Sequence, residues 1–92
     1  MIGELNGPFD DYNMSIAFAQ NTASQHKLTK FYICVLDKGR SNYEYYFVVG
    51  VLFESKSLPK DLQVITEYEF TESKWKITGY RNLGESKWQI PS

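Results

Sequence analysis

Tyr12-Asn13-Met14-Ser15-Ile16-Ala17-Phe18-Ala19-Gln20 is the stretch on which the fold turns. Read with a period of two, Tyr12, Met14, Ile16 and Phe18 alternate with Asn13, Ser15, Ala17 and Ala19, the pattern of a half-buried strand. Read with a period of 3.6, Phe9, Tyr12, Ile16, Ala19 and Ala23 form one apolar stripe, while Met14 and Phe18 point away from it. Pro8 would then stand in the first helical turn, with Asp10 and Asp11 near the positive helix end. The alternation accounts for more of the large side chains, so the leading expectation is a strand. The alternative is a helix over about residues 8–24.

Downstream the chain reads as strands. One is expected over Leu28 to Leu36, a turn over 37–42 with Gly39 at its centre, and a long strand over Tyr43 to Glu54 with Gly50 as a bulge or bend. A loop with Pro59 covers 55–60. Strands over Leu62 to Phe70 and Lys74 to Tyr80 follow, and Ser86 to Ile90 closes the chain. Residues 1–11 read as a lead-in segment. The fold class is therefore mainly β, a small antiparallel meander or barrel-like domain of five or six strands. The alternative is α+β, with the N-terminal helix packed on a five-stranded antiparallel sheet. Ninety-two residues make one domain, 1–92.

Alternation also assigns faces. Leu62, Val64, Tyr68 and Phe70 share one face of their strand, while Gln63, Glu67 and Glu69 point the other way with Ile65. The two preceding strands are apolar on both faces: Phe31, Ile33 and Val35 oppose Tyr32, Cys34 and Leu36, and Tyr45, Phe47 and Val49 oppose Tyr46 and Val48. Each face then needs a cover. The second face needs a helix, a folded-over sheet, a second copy of the chain or a partner. A helix at 8–24 is the natural cover; if that stretch is a strand an intermolecular cover is favoured, so a homodimer is expected.

The most distinctive local feature is a near-repeat. Glu72-Ser73-Lys74-Trp75-Lys76-Ile77 returns thirteen residues later as Glu85-Ser86-Lys87-Trp88-Gln89-Ile90. It holds both tryptophans. Alternation turns Trp75 with Ile77, and Trp88 with Ile90, toward a core. It offers Lys74, Lys76, Tyr80 and Lys87, with Arg81 at the turn, as a basic stripe with an aromatic ring in it. Tyr46, from the cluster Tyr43, Tyr45 and Tyr46, joins these as a candidate contact because tyrosine is frequent at binding hot spots.

Catalytic and metal chemistry find little support. Cys34 is the single cysteine, which excludes an internal disulfide, and its apolar neighbours mark a buried thiol. His26 is the single histidine, too few for a typical zinc site. A Cys34–His26–Asp37 triad has no local sequence support. Glu67 and Glu69 point the same way, as a general acid–base pair or cation site would, and equally as a solvated face does. Asp10-Asp11 marks a turn or a helix start. Gly39, Gly50, Gly79 and Gly84 are isolated, so no phosphate-cradling loop exists. No cofactor, metal or catalytic residue is expected.

Aromatic residues are abundant at 16%, and the net charge of −1 gives no global attraction for nucleic acid. Charge comes in weak blocks: −3 over 1–26, +2 over 27–53, −3 over 54–72 and +3 over 73–92. No run is long enough for a membrane span, and the first residues lack the pattern of a secretory signal, so a cytoplasmic location is expected. The profile suits a non-enzymatic module that binds a charged protein surface and blocks its target. Toxin-immunity proteins and phage counter-defence inhibitors have this size and character. A single-stranded nucleic-acid binder using the basic aromatic stripe is the alternative. A small-molecule or enzymatic domain with an aromatic pocket is the third reading.

Overall fold

The computed structural model describes residues 5–50 and 61–91. The elements are β1 (Asn6–Phe9), α1 (Tyr12–Gln25), β2 (Lys30–Asp37), β3 (Tyr43–Val49), β4 (Leu62–Thr71) and β5 (Lys74–Tyr80). All strand pairs are antiparallel, in one open sheet of order β1-β3-β2-β4-β5. The described residues are mainly β, with one helix on a five-stranded antiparallel sheet. β4 lies beside β2 rather than β3.

Residues 12–20 are helical, and the strand expected there is overturned. Two local devices and one packing device outweigh the alternation. Asp11 caps the N-terminus in extended geometry, its Oδ1 accepting from the Asn13 amide at 3.2 Å. At the other end, Lys27 adopts φ +57, its amide donates to the Ser24 carbonyl, and the Leu28 amide donates to that of Ala23. This is a Schellman cap with lysine in the position glycine favours. Between the caps, Ser15, Ala19 and Ala23 recur every four residues and are fully buried, so the helix lies close on the sheet. Small residues carry the contact, whereas Met14 and Phe18 stay about half exposed. The predicted stripe is otherwise correct, with Tyr12 and Ile16 packed on the core. The helix starts later than predicted, because Pro8 and Phe9 belong to edge strand β1, a strand the sequence reading missed.

α1 covers β1, β3 and β2. Under it lie Phe31, Ile33, Phe47, Val49 and Tyr68, with Phe31 and Tyr68 stacked at 4.8 Å. The Tyr12 hydroxyl reaches across to share hydrogen bonds with Thr66 Oγ1 at 3.0 Å and the Tyr68 hydroxyl at 3.3 Å. Each face of the two central strands behaves as the alternation requires. Tyr32, Cys34, Leu36, Tyr46 and Val48 occupy the far face, away from α1.

β4 departs from simple alternation. Ile33 pairs with Thr66 and Cys34 with Val64, leaving Ile65 as the extra residue of a bulge. Ile65 packs on the α1 side, and Leu62 and Val64 turn to the far face with their partners Leu36 and Cys34. The expected grouping of Leu62 and Val64 with Tyr68 and Phe70, and of Ile65 with Glu67 and Glu69, is therefore corrected. A second bulge at Thr78 interrupts the β4–β5 ladder, where Glu67 pairs with Gly79 and Tyr68 with Ile77. The closing strand expected over Ser86 to Ile90 reduces to one bridge, between Tyr80 and Gln89. Gly50 forms a bend with φ +84. The expected continuation of its strand to Glu54 and the loop with Pro59 lie outside the described residues.

Candidate functional site

The near-repeat is split between the two faces of the sheet. β4 and β5 form a hairpin through Glu72 and Ser73, both with positive φ (+53 and +65). On β5, Trp75 and Ile77 face the α1 side. Trp75 packs against Phe31 at 4.9 Å and Phe70 at 5.3 Å. α1 does not extend over this part of the sheet, so Phe70 and Ile77 are each 42% exposed. A hollow of about 290 Å³ opens between Leu28, Thr29, Phe70 and Trp75, at the foot of the helix beside Lys27.

Trp88 lies on the far face. The Tyr80 and Gln89 backbones exchange two hydrogen bonds at 2.9 and 2.7 Å, which fixes the C-terminal segment on the outer edge of β5. Gln63 anchors its turn, accepting from the Gly84 amide at 3.0 Å and donating to the Glu85 carbonyl at 2.7 Å. The indole of Trp88 then rests on Gly79. A Cβ at that position would stand 2.7 Å from Cε2 and Cζ2 of the ring, so only glycine permits the contact. The Arg81 guanidinium sits 5.9 Å from the Trp88 ring centroid, held by its Nε–H donating to the Val64 carbonyl at 2.7 Å.

The six residues singled out from sequence do not form one patch. Lys74 and Lys76 share the far face of β5, Lys76 paired with Glu72 at 2.7 Å. Arg81 joins that face farther along. Lys87 is exposed in the C-terminal segment. Tyr80 pairs with Thr66 and so faces the α1 side, its hydroxyl donating to Gln89 Oε1 at 3.3 Å. Tyr46 is three strands away on β3, about 14 Å across the sheet. Its hydroxyl donates to Glu44 Oε1 at 3.2 Å, and burial and that carboxylate raise its pKa.

A groove of about 460 Å³ runs along the far face, lined by Tyr32, Val64, Glu67, Arg81 and Trp88. Glu67 is held at its wall: Oε1 accepts from Thr78 Oγ1 at 2.8 Å, and Oε2 is 3.9 Å from Lys30 Nζ. Lys30 also reaches Glu69 at 4.0 Å, so the predicted carboxylate pair shares one cation. Burial first, then Glu67 and Glu69, push the Tyr32 hydroxyl from 10.0 up to about 12. Beside Val64, Cys34 is fully buried, and burial pushes its thiol from 9.0 up to about 12 against the pull of Arg81. This groove was not legible in the sequence. Tyr32 was legible as far-face, but the turn of Val64 and Trp88 depends on register.

His26 is the C-cap of α1, on the other side of the sheet from Cys34, and Asp37 Oδ1 accepts from the Gly39 amide in its turn. These three do not form a triad. Among the described residues no group of three His, Cys, Asp or Glu side chains is placed to hold a metal, and no helix is long and apolar enough to cross a membrane. Compared with protein-family models, curated proteins and solved structures, the chain has no significant match.

Proposed function

We propose that this chain is a non-enzymatic protein-binding module that blocks or neutralises its target by taking an extended segment of it along β5. The carrying observation is the apolar strip Phe70, Trp75 and Ile77 that α1 leaves uncovered at a sheet edge. An edge strand offers unpaired backbone groups to an added strand, and side-chain pockets set its specificity. The outer edge of β5 already accepts one antiparallel residue, Gln89. The hollow beside Trp75 suits an apolar anchor, and Lys74 and Lys76 on the other face favour acidic residues at the alternate positions. The best partner is an extended segment alternating apolar and acidic side chains.

A second copy is the competing occupant. Paired edge to edge it would continue the sheet with the same face up, bringing four lysines together, which weakens that pairing. Nucleic acid fits less well. Tyr80 faces away from Lys74 and Lys76, so the basic residues and that ring do not share one face.

The test is recovery of a partner from the native host by the wild type, by Ile77→Asp and by Lys74→Glu/Lys76→Glu, with Lys38→Ala as control. One stoichiometric protein should be retained by wild type and control, lost with Ile77→Asp, and weakened by charge reversal. Equal retention by Ile77→Asp, or no partner at any salt concentration, overturns the reading. Sedimentation of the isolated chain as a dimer that Ile77→Asp dissociates would assign the edge to a second copy instead.

A further inference from the structure

We infer that the far-face groove is a separate ligand site, and that it takes a small aromatic zwitterion of amino-acid size. An acid and a base line the same groove without pairing. Glu67 and Arg81 both border it, yet no ion pair joins them, whereas Glu67 does pair with Lys30 on its other side. Arg81 has no carboxylate partner among the described residues. Its Nε–H is committed to the Val64 carbonyl, which fixes the guanidinium plane and leaves the two terminal nitrogens as a fork for a carboxylate. Glu67 accepts from Thr78 and from the neighbouring Tyr32 hydroxyl, and of a carboxylate's roughly four acceptor sites part remains for a ligand.

Between these charges the walls are aromatic and apolar: Tyr32, Trp88 and Val64. A volume of about 460 Å³ falls in the range of small-molecule sites, which pair apolar walls with a few fixed polar groups. A simple aromatic anion satisfies Arg81 but meets the Glu67 carboxylate. A simple amine satisfies Glu67 but meets Arg81. A ligand with both charges and a planar body satisfies all three features. This site lies on the opposite face from Phe70 and Ile77, so it stands or falls independently of the β5 surface.

The test uses L-phenylalanine against its two single-charge analogues, 3-phenylpropionate and phenethylamine, titrated into the isotopically labelled full chain and read by amide and indole chemical shifts. Saturable shifts are expected for L-phenylalanine at Tyr32, Val64 and the Trp88 indole N–H. Each analogue should bind about tenfold or more weakly, the loss of one charge-assisted hydrogen bond. Glu67→Gln retains the side-chain shape and should abolish the preference for L-phenylalanine over 3-phenylpropionate while leaving that over phenethylamine. Arg81→Gln should do the reverse; if it unfolds, the wild-type comparison decides alone. Absence of saturable shifts at the groove, or equal affinity for all three compounds, overturns the inference.

Discussion

Placing a methyl group at Gly79 tests whether Trp88 is docked on the far face. The built Cβ would lie 2.7 Å from two indole carbons, and the backbone on either side is pinned by the Tyr80–Gln89 bridge. The indole must therefore lift by about an ångström to reach ordinary contact at about 3.5–4.0 Å. Trp88 is 37% exposed. Roughly two-thirds of a side chain of about 250 Å² is thus covered, which at about 25 cal/mol per Å² is worth at most about 4 kcal/mol. A lift of that size forfeits about a quarter to a half of the contact energy, or about 1–2 kcal/mol. Stiffening the unfolded chain returns about 0.4–1 kcal/mol. Gly79→Ala should then cost about 1 kcal/mol net and lower the urea midpoint by about 0.5–1 M. The Trp88 indole N–H resonance should move with it. Repeating the substitution in Trp88→Ala supplies the decisive comparison. With no indole to displace, Gly79→Ala should be neutral or stabilising, a coupling of about 1–2 kcal/mol between the two positions. An equal cost in both backgrounds would refute the contact as the reason for glycine there.

The hairpin turn and the helix cap hold non-glycine residues in the left-handed region. Replacing Glu72-Ser73 by Asn-Gly should stabilise by about 1–2 kcal/mol, less up to about 1 kcal/mol for the exposed Lys76–Glu72 pair, and raise Tm by several degrees; an unchanged Tm on thermal unfolding would count against strain at φ +53 and +65. Alkaline pH should destabilise the fold. Cys34 and Tyr32 hold their protons more tightly when folded, so their contribution is complete below about pH 9 and is lost as pH rises toward 12. Urea midpoints measured across that window should fall, and fall less steeply in Cys34→Ala/Tyr32→Phe; an identical slope in the double variant would contradict the assignment. The native thiol should also resist alkylation at pH 8 and react once urea is added.

Much of the fold was legible because β2 and β3 are apolar on both faces, the Lys74–Tyr80 strand alternates cleanly at its start, and all three are bounded by turn residues. Residues 12–20 misled because the alternation counted large side chains, whereas α1 docks through Ser15, Ala19 and Ala23. Small residues bury little area each but set how closely a helix can approach. The caps held the deciding information, in Asp11 and in the Ser24–Leu28 cap, and neither depends on hydrophobic period. The two bulges were invisible to a period-two reading, and each moved side chains between faces. The candidate site suffered most from this, since Val64 reaches the groove only because Ile65 is extra.

The near-repeat carries the same argument further. Identical spacing within the two copies would place both tryptophans on one face if their strands were paired in phase. In β5, Trp75 faces the helix side. The bridge then pairs Gln89 with Tyr80, itself a helix-side residue, so its neighbour Trp88 must face the other way. A shift of one residue in that pairing would turn Trp88 to the side of Trp75 and remove the wall it provides for the groove. The Lys-Trp pair thus serves two purposes in one chain. In the first copy it leaves an apolar strip beside a sheet edge, and in the second it closes an amphipathic groove. Gly79 and the Thr78 bulge separate the two outcomes, because one accepts the indole and the other sets the register that delivers it.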